Sequence, residues 1–254
     1  MMIVLIKNKQ TLHKIFHFTQ RSKNYPKFLS DYLNFKKLAK KNNRFQLLFS
    51  ERYPCLDDDT SSTEFDTHYI YHPAWAARII AKTRPSCHVD ISSTLQFSTI
   101  ISAFLPVYFY DYRPANLHLE NFHSQSADLI SLSFKSNSIA SLSCMHTVEH
   151  IGLGRYGDNL DPEGDLKAIS ELKRVLAPSG NLLFVVPVGK PRIMFNAHRI
   201  YSFSQISKLF SDLELINFTL IPDDTIQNGI INNATSEDAD RQDYGCGCFW
   251  FKKN

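Results

Sequence analysis

The stretch DPEGDLKAISELKRVLAPSGNLLFVVP, residues 161–187, decides how the fold is read. Asp161 can cap a helix with its side-chain oxygen, Pro162 suits a first helical position because its missing N–H needs no partner there, and Glu163 sets a negative charge against the positive end of the helix dipole. Leu166, Ile169, Leu172 and Leu176 recur at three- and four-residue steps, with Ala168 and Val175 beside them, the spacing of one buried helix face. Pro178-Ser179-Gly180 stops that helix, and Asn181 to Pro187 follows as an almost wholly apolar run. A strand with no polar alternation is covered on both faces, so this unit predicts a mostly parallel sheet in an α/β fold.

The same punctuation repeats upstream. Pro73 predicts a helix start, Trp75, Ala76, Ile79 and Ile80 its apolar stripe, and Pro85 its end. Cys87 to Ile91, Val107 to Asp111, a segment before Ala127, and Ile139 to Met145 read as short strands. Asp90, Asp111 and Asp128 stand at the ends of the first three, and ligands of such sheets settle at the carboxyl ends of the strands. Asp90 and Asp111 are 21 residues apart, near the roughly 20 that separate a first-strand turn from a ribose-binding acid. A carboxylate at Asp111 can accept from two ribose hydroxyls, and Asp128 from an adenine amino group. Together they point to an adenosine-containing ligand, with Ser92, Ser93, Tyr112, Leu129 and Met145 as further candidate contacts at the same strand ends.

These residues carry a resemblance. Val89-Asp90-Ile91-Ser92-Ser93, then Asp111, Ala127-Asp128-Leu129, Leu132-Ser133-Phe134, His146-Thr147-Val148-Glu149-His150 and the segment from Glu171 through Arg174 to Pro178 and Gly180 resemble class I S-adenosylmethionine-dependent methyltransferases. The segments Cys144 to Asp158 and Phe195 to Tyr201 resemble the family known as domain of unknown function 268. The resemblance runs from about Tyr53 to the C-terminus. It implies a Rossmann-like sheet of seven strands with the last, Cys246 to Phe251, antiparallel. It implies S-adenosylmethionine as cofactor, and methyl transfer to a small-molecule or glycan-linked acceptor such as a sugar hydroxyl. One departure stands out: the first loop, Ile91 to Leu95, has no glycine where the family's loop is glycine-rich. A degenerate, non-enzymatic binding module is therefore the alternative.

Methyl transfer to a hydroxyl needs alignment and a base. His146, Glu149, His150 and His198 are the candidates, and Arg155, Arg199 and Tyr201 are candidates for holding the acceptor. His146 to His150 also matches the H-x-x-E-H pattern of certain zinc peptidases, which requires both histidines on one helix face. Gly152 to Asp158 reads as a mobile loop closing over the acceptor, and residues 222–244, with six acids, as a lid or a disordered segment. Cys246 and Cys248 share one face of a strand but have no further ligands in sequence, so no metal is assigned.

The chain has 254 residues, 43% hydrophobic and 21% charged, which suits one large folded domain with an appendage and excludes disordered, collagen-like or disulfide-scaffold chains. Residues 1–52 hold twelve Lys and Arg against two acids, a balance of +10, while the other 202 hold sixteen against twenty-three, −7. The expected organisation is a basic helical extension over residues 1–52 and an α/β domain over 53–254, with the polar stretch 57–63 as a loop. Such an arm can meet an anionic membrane surface. No nucleic-acid partner is expected, because Phe28, Leu29, Tyr32, Leu33 and Phe35 fit one buried helix stripe better than a stacking platform. Met1 to Ile6 is too short for a secretory core, and five cysteines at scattered spacing suit reduced thiols, so a cytoplasmic setting is expected.

Overall fold

The computed structural model describes residues 24–40, 44–225 and 229–254. The chain divides into two compact units, Met1–Glu64 and Phe65–Asn254. In the first, residues 24–39 form helix α1 and Phe49–Glu51 a single 3-10 turn. No described residue of this unit is buried. The expected buried stripe is therefore corrected: Phe28, Leu29 and Tyr32 are half-buried, but Leu33 and Phe35 are 57% and 59% exposed. Among the described residues of this unit, no second apolar layer faces α1 to receive them. The remainder of the basic extension, residues 1–23 and 41–43, lies outside the described residues.

The second unit is an α/β fold. Its strands are β1 (His88–Ile91), β2 (Val107–Asp111), β3 (Phe122–Ser126), β4 (Ile139–Met145), β5 (Leu176–Val188), β6 (Arg192–Met194), β7 (His198–Ile200), β8 (Glu214–Ile221), β9 (Ile231–Asn232) and β10 (Gly245–Lys252). The main sheet runs β3-β2-β1-β4-β5-β10-β8-β9, and β6 and β7 form a separate hairpin. β1 to β5 are parallel, and β10 is antiparallel to both neighbours. The sheet is thus Rossmann-like, but with eight strands rather than seven: β9, two residues long, adds an edge beside β8. With helix α6 (Ser236–Asp240), β9 also gives regular structure to described residues of 222–244, the segment expected to be either a lid or disordered. No helix among the described residues is long and apolar enough to cross a membrane.

Helices cover both faces. α2 (Thr67–Thr83) and α3 (Leu95–Ile101) contribute Trp75, Ile79, Phe97 and Ile101 to one apolar layer; α4 (Gly164–Val175) and α5 (Phe203–Leu209) contribute Ile169, Leu172, Val175 and Ile206 to the other. The strands divide between these layers with period two. Leu182, Phe184 and Val186 face the α4 side, and Leu183 and Val185 the α2 side. On β10, Phe249 and Phe251 join the α4 layer while Cys246 and Cys248 join the α2 layer.

Two helix starts differ from expectation. α2 begins at Thr67, with Asp66 accepting from the Tyr69 N–H, so Pro73 lies inside the helix rather than at its start. α4 begins at Gly164, because the Asp161 carbonyl accepts from the Gly164 N–H in a preceding turn. Leu166, expected on the buried face, lies beside it: that face runs through Asp165, Ala168, Ile169, Leu172 and Val175, and Leu166 is 43% exposed.

Candidate functional site

The strand order reverses between β1 and β4, and the carboxyl ends of β1 to β4 surround a recess there. It consists of two adjoining cavities of about 290 and 150 Å³ that share Ser92, Tyr112, His150, Ile151 and Tyr156. Asp128, Leu129 and Ile130 line the larger, Asp111 and His146 the smaller. Asp111 accepts from the Arg113 N–H at 2.7 Å and Asp128 from the Ile130 N–H at 3.1 Å, so each carboxylate is oriented by the backbone that follows it.

The first loop manages without glycine. Ser92 itself takes the left-handed conformation, φ +56°, that glycine normally supplies. Its N–H donates to the Tyr110 carbonyl at 2.7 Å, the Thr147 hydroxyl donates to the Ser92 carbonyl at 2.9 Å, and Ser93 Oγ accepts from the Met145 N–H at 3.1 Å. The loop is thereby tied to β2 on one side and β4 on the other. Two acids, an apolar wall at Leu129 and Ile130, and a positive-φ turn at the first strand make a donor and acceptor set that fits an adenosine cofactor.

After β4 the chain turns sharply at His146, φ +54°, and Val148–His150 is one 3-10 turn. No helix carries His146 and His150 on a common face, and this removes the H-x-x-E-H peptidase reading. His146 Nδ1 lies 2.8 Å from Glu149 Oε1. Burial holds His146 down at about 4 and pushes Glu149 up to about 7, so this contact is a hydrogen bond from a neutral imidazole rather than an ion pair. His150 Nδ1 lies 2.6 Å from the Ala197 carbonyl. Two acceptors cannot approach so closely, so Nδ1 carries the proton and Nε2 keeps its lone pair. Arg155 reaches His150 Nδ1 at 3.3 Å and the same carbonyl at 3.1 Å. With Nδ1 protonated, its donation goes to the carbonyl. The guanidinium groups of Arg113 and Arg155 both lie over the Tyr156 ring, at 4.6 and 5.1 Å, and give the rim positive charge. His198 is half-buried, its ring 6.3 Å from that of His150 and its Nε2 without a partner.

Several residues expected at the site stand elsewhere. Asp90 is fully buried; it accepts from the Ser143 hydroxyl at 2.6 Å and from the Ser98 hydroxyl, and burial raises it to about 6. Met145 is packed in the α2 layer, and Ser93 serves the backbone of β4. Glu149 is 1% exposed and touches the recess only through the histidines beside it. Arg199 is buried and does not line the recess. It donates to the carbonyls of Ile151 (2.6 Å), Pro162 (3.3 Å), Asp161 (3.4 Å) and Glu149 (3.5 Å), and lies 3.6 Å from Asp165. Tyr201 donates to Asp165 at 2.9 Å. Both residues therefore fasten the 149–165 loop from behind.

The glycine-dense loop carries hydrogen bonds of its own. Asp158 accepts from the N–H groups of Gly152, Gly154 and Tyr156. Partial burial opposes ionisation of Asp158, but these donors outweigh it and hold the carboxyl below its ordinary value. Gly152, φ +80°, is required: a Cβ there would lie 2.0 Å from the Asp161 carbonyl oxygen.

The sequence reading missed His68 and His72. α2 starts six residues before Pro73, so both lie on the buried face that continues to Trp75, Ala76 and Ile79. Their i, i+4, i+7 and i+8 spacing with that stripe was the available signal.

Comparisons with known proteins bear on the fold. Residues 116–240 match the family described as Caenorhabditis protein of unknown function, DUF268. A search of curated protein sequences finds no match. Among solved structures, the chain is similar to a Burkholderia thailandensis 1,6-didemethyltoxoflavin-N1-methyltransferase with bound S-adenosylhomocysteine. That match has 11% identity and a TM-score of 0.52, over 72% of this chain and 79% of that one. It is also similar to a Bacillus halodurans protein described as a "putative methyltransferase", with 16% identity and a TM-score of 0.50, over 71% of this chain and 98% of that one. The chain is related to the DUF268 family over the matched residues, and it has the fold of class I S-adenosylmethionine-dependent methyltransferases.

Proposed function

We propose that the second unit is an S-adenosylmethionine-dependent methyltransferase acting on a hydroxyl of a small-molecule or glycan-linked acceptor. The observation that carries the reading is the convergence of Asp111, Asp128 and the Ser92 turn on one recess at the strand-order reversal. Asp111 holds the ribose hydroxyls, Asp128 and the 127–130 backbone the adenine, and the Ser92 turn the amino-acid end. When bound, the cofactor supplies an electrophilic methyl group.

The chain's own residues align the acceptor and move one proton. His150 lines both cavities and keeps Nε2 as a free acceptor, 3.8 Å from Glu149 Oε1. It takes the hydroxyl proton, and the neighbouring Glu149 carboxylate stabilises the imidazolium that forms. Burial lowers the His150 pKa, so the imidazole is neutral and ready at pH 7. Arg155 and Arg113, held over Tyr156, receive an anionic part of the acceptor.

Calorimetric titration of S-adenosylhomocysteine tests the reading. Wild type and His150→Gln should both bind, and Asp111→Ala should lose about 100-fold in affinity, roughly 2.7 kcal/mol. A folded wild type that binds neither S-adenosylmethionine nor its demethylated product would overturn it.

A further inference from the structure

His146 divides its two ring nitrogens between two environments. Nδ1 meets Glu149 at the recess side, while Nε2 lies 3.3 Å from Cys246 Sγ on the α2 side of the sheet. His68, from the first turn of α2, stacks on the His146 ring at 5.4 Å with an interplanar angle of 12°. The donor atoms of His68, His146 and Cys246 all lie within 4.8 Å of one another, and all three residues are buried. We propose that these residues form a thiolate–imidazole site for a zinc-class divalent cation, joining α2 to the end of β4 and to β10.

Two imidazoles and a thiol are the donor set such ions select, and closing them on one ion at bonds of about 2.0–2.3 Å needs movement of about 1 Å. Cys248 Sγ, 3.9 Å from Cys246 Sγ, is a candidate fourth donor.

Three further features favour a ligand. The Glu149–His146 contact is the carboxylate–histidine support that orients metal-binding imidazoles: Nδ1 donates its proton to the carboxylate, leaving Nε2 as the ligand atom. His72 is fully buried with its ring 5.0 Å from that of His146, and its Nε2 has no partner. An open groove of about 600 Å³ leads to His68 between the carboxylates of Asp66, Asp223 and Asp243, a path suited to a cation. Without a cation the thiol donates to Nε2; binding releases that proton to solvent and forms the metal–sulfur bond. Occupancy takes His146 out of proton transfer and leaves His150 as the base.

Full-length protein, stripped with chelator under reducing conditions, would be titrated with Co²⁺ and separately assayed for Zn²⁺ content. Wild type should bind one equivalent and develop a near-ultraviolet thiolate-to-cobalt band. Cys246→Ser and His68→Gln should each lose the band, while Cys87→Ser, at an exposed thiol outside the cluster, should keep it. Absence of the band in folded wild type would overturn the site, as would its persistence in both variants. Titrating S-adenosylhomocysteine into the stripped protein reads the cofactor site independently of the metal.

Discussion

Asp111 and Asp128 face an open recess, whereas Asp90 and Arg199 are sealed behind it, although all four are charged residues on strands or at strand ends. The difference follows from position across the sheet. β1 is flanked by β2 and β4 and covered by α3, so a carboxylate at its end loses water and turns to the hydroxyls of Ser98 and Ser143. β2 and β3 run toward the sheet edge, and their acids keep solvent on one side. Arg199 lies on the β6–β7 hairpin under the 149–165 loop, where its planar fork gathers the carbonyls of Ile151, Asp161 and Pro162. Asp90 also stands level with Phe109, two residues short of Asp111, which sets it deeper in the sheet. The exposed ones are free to bind, and the sealed ones hold the binding surface in shape.

The largest effect that would sharpen this contrast belongs to Arg199. Arg199→Ala leaves Asp165 buried without its cation and removes the 2.6 Å donor from the Ile151 carbonyl, so urea denaturation should give a loss of about 3–5 kcal/mol. A loss below about 1 kcal/mol would put Arg199 back among the recess residues.

Asp90→Asn should act through pH. Burial raises the Asp90 pKa from 3.8 to about 6, so the folded state holds a proton in that window that the unfolded chain has released. Its contribution to stability is therefore complete below pH 4 and is lost as pH rises through 6. The variant cannot ionise, so its stability relative to wild type should rise between pH 4 and 6, by on the order of 3 kcal/mol. Histidines buried in both proteins cancel in that difference. A difference that is flat with pH would break the contrast between Asp90 and the recess acids.

Tyr201→Phe should show the smallest change. Losing one buried hydrogen bond to Asp165 should cost about 1–2 kcal/mol in thermal or urea denaturation, with S-adenosylhomocysteine affinity unchanged. A drop in affinity without a drop in stability would mean that Tyr201 contacts the ligand.

The strands were the most legible part of the molecule. β2 and β4 have the bounds expected, because short apolar runs state their extent locally, whereas β5 starts at Leu176 and passes through Pro178-Ser179-Gly180, five residues before the expected Asn181. Helix starts were less legible. Pro73 and Pro162 both fit a first helical position, yet Asp66 caps α2 earlier and the Asp161 turn delays α4. The Ser92 turn shows a similar limit: a missing glycine in sequence did not mean a missing conformation.

The site divides in the same way. That acids stand at the ends of parallel strands was readable, since strand ends are local features and the ligand side of such a sheet is set by its handedness. Which of them keep water was decided by the strand order 3-2-1-4-5-10-8-9 and by the helices laid over it. The meeting of His68, His146 and Cys246 belongs wholly to tertiary structure. It requires α2 to lie across β4 and β10, and β10 to be inserted beside β5 after the rest of the chain has passed. Periodicity and spacing report the face of an element on which a residue sits; only packing reports what that face meets.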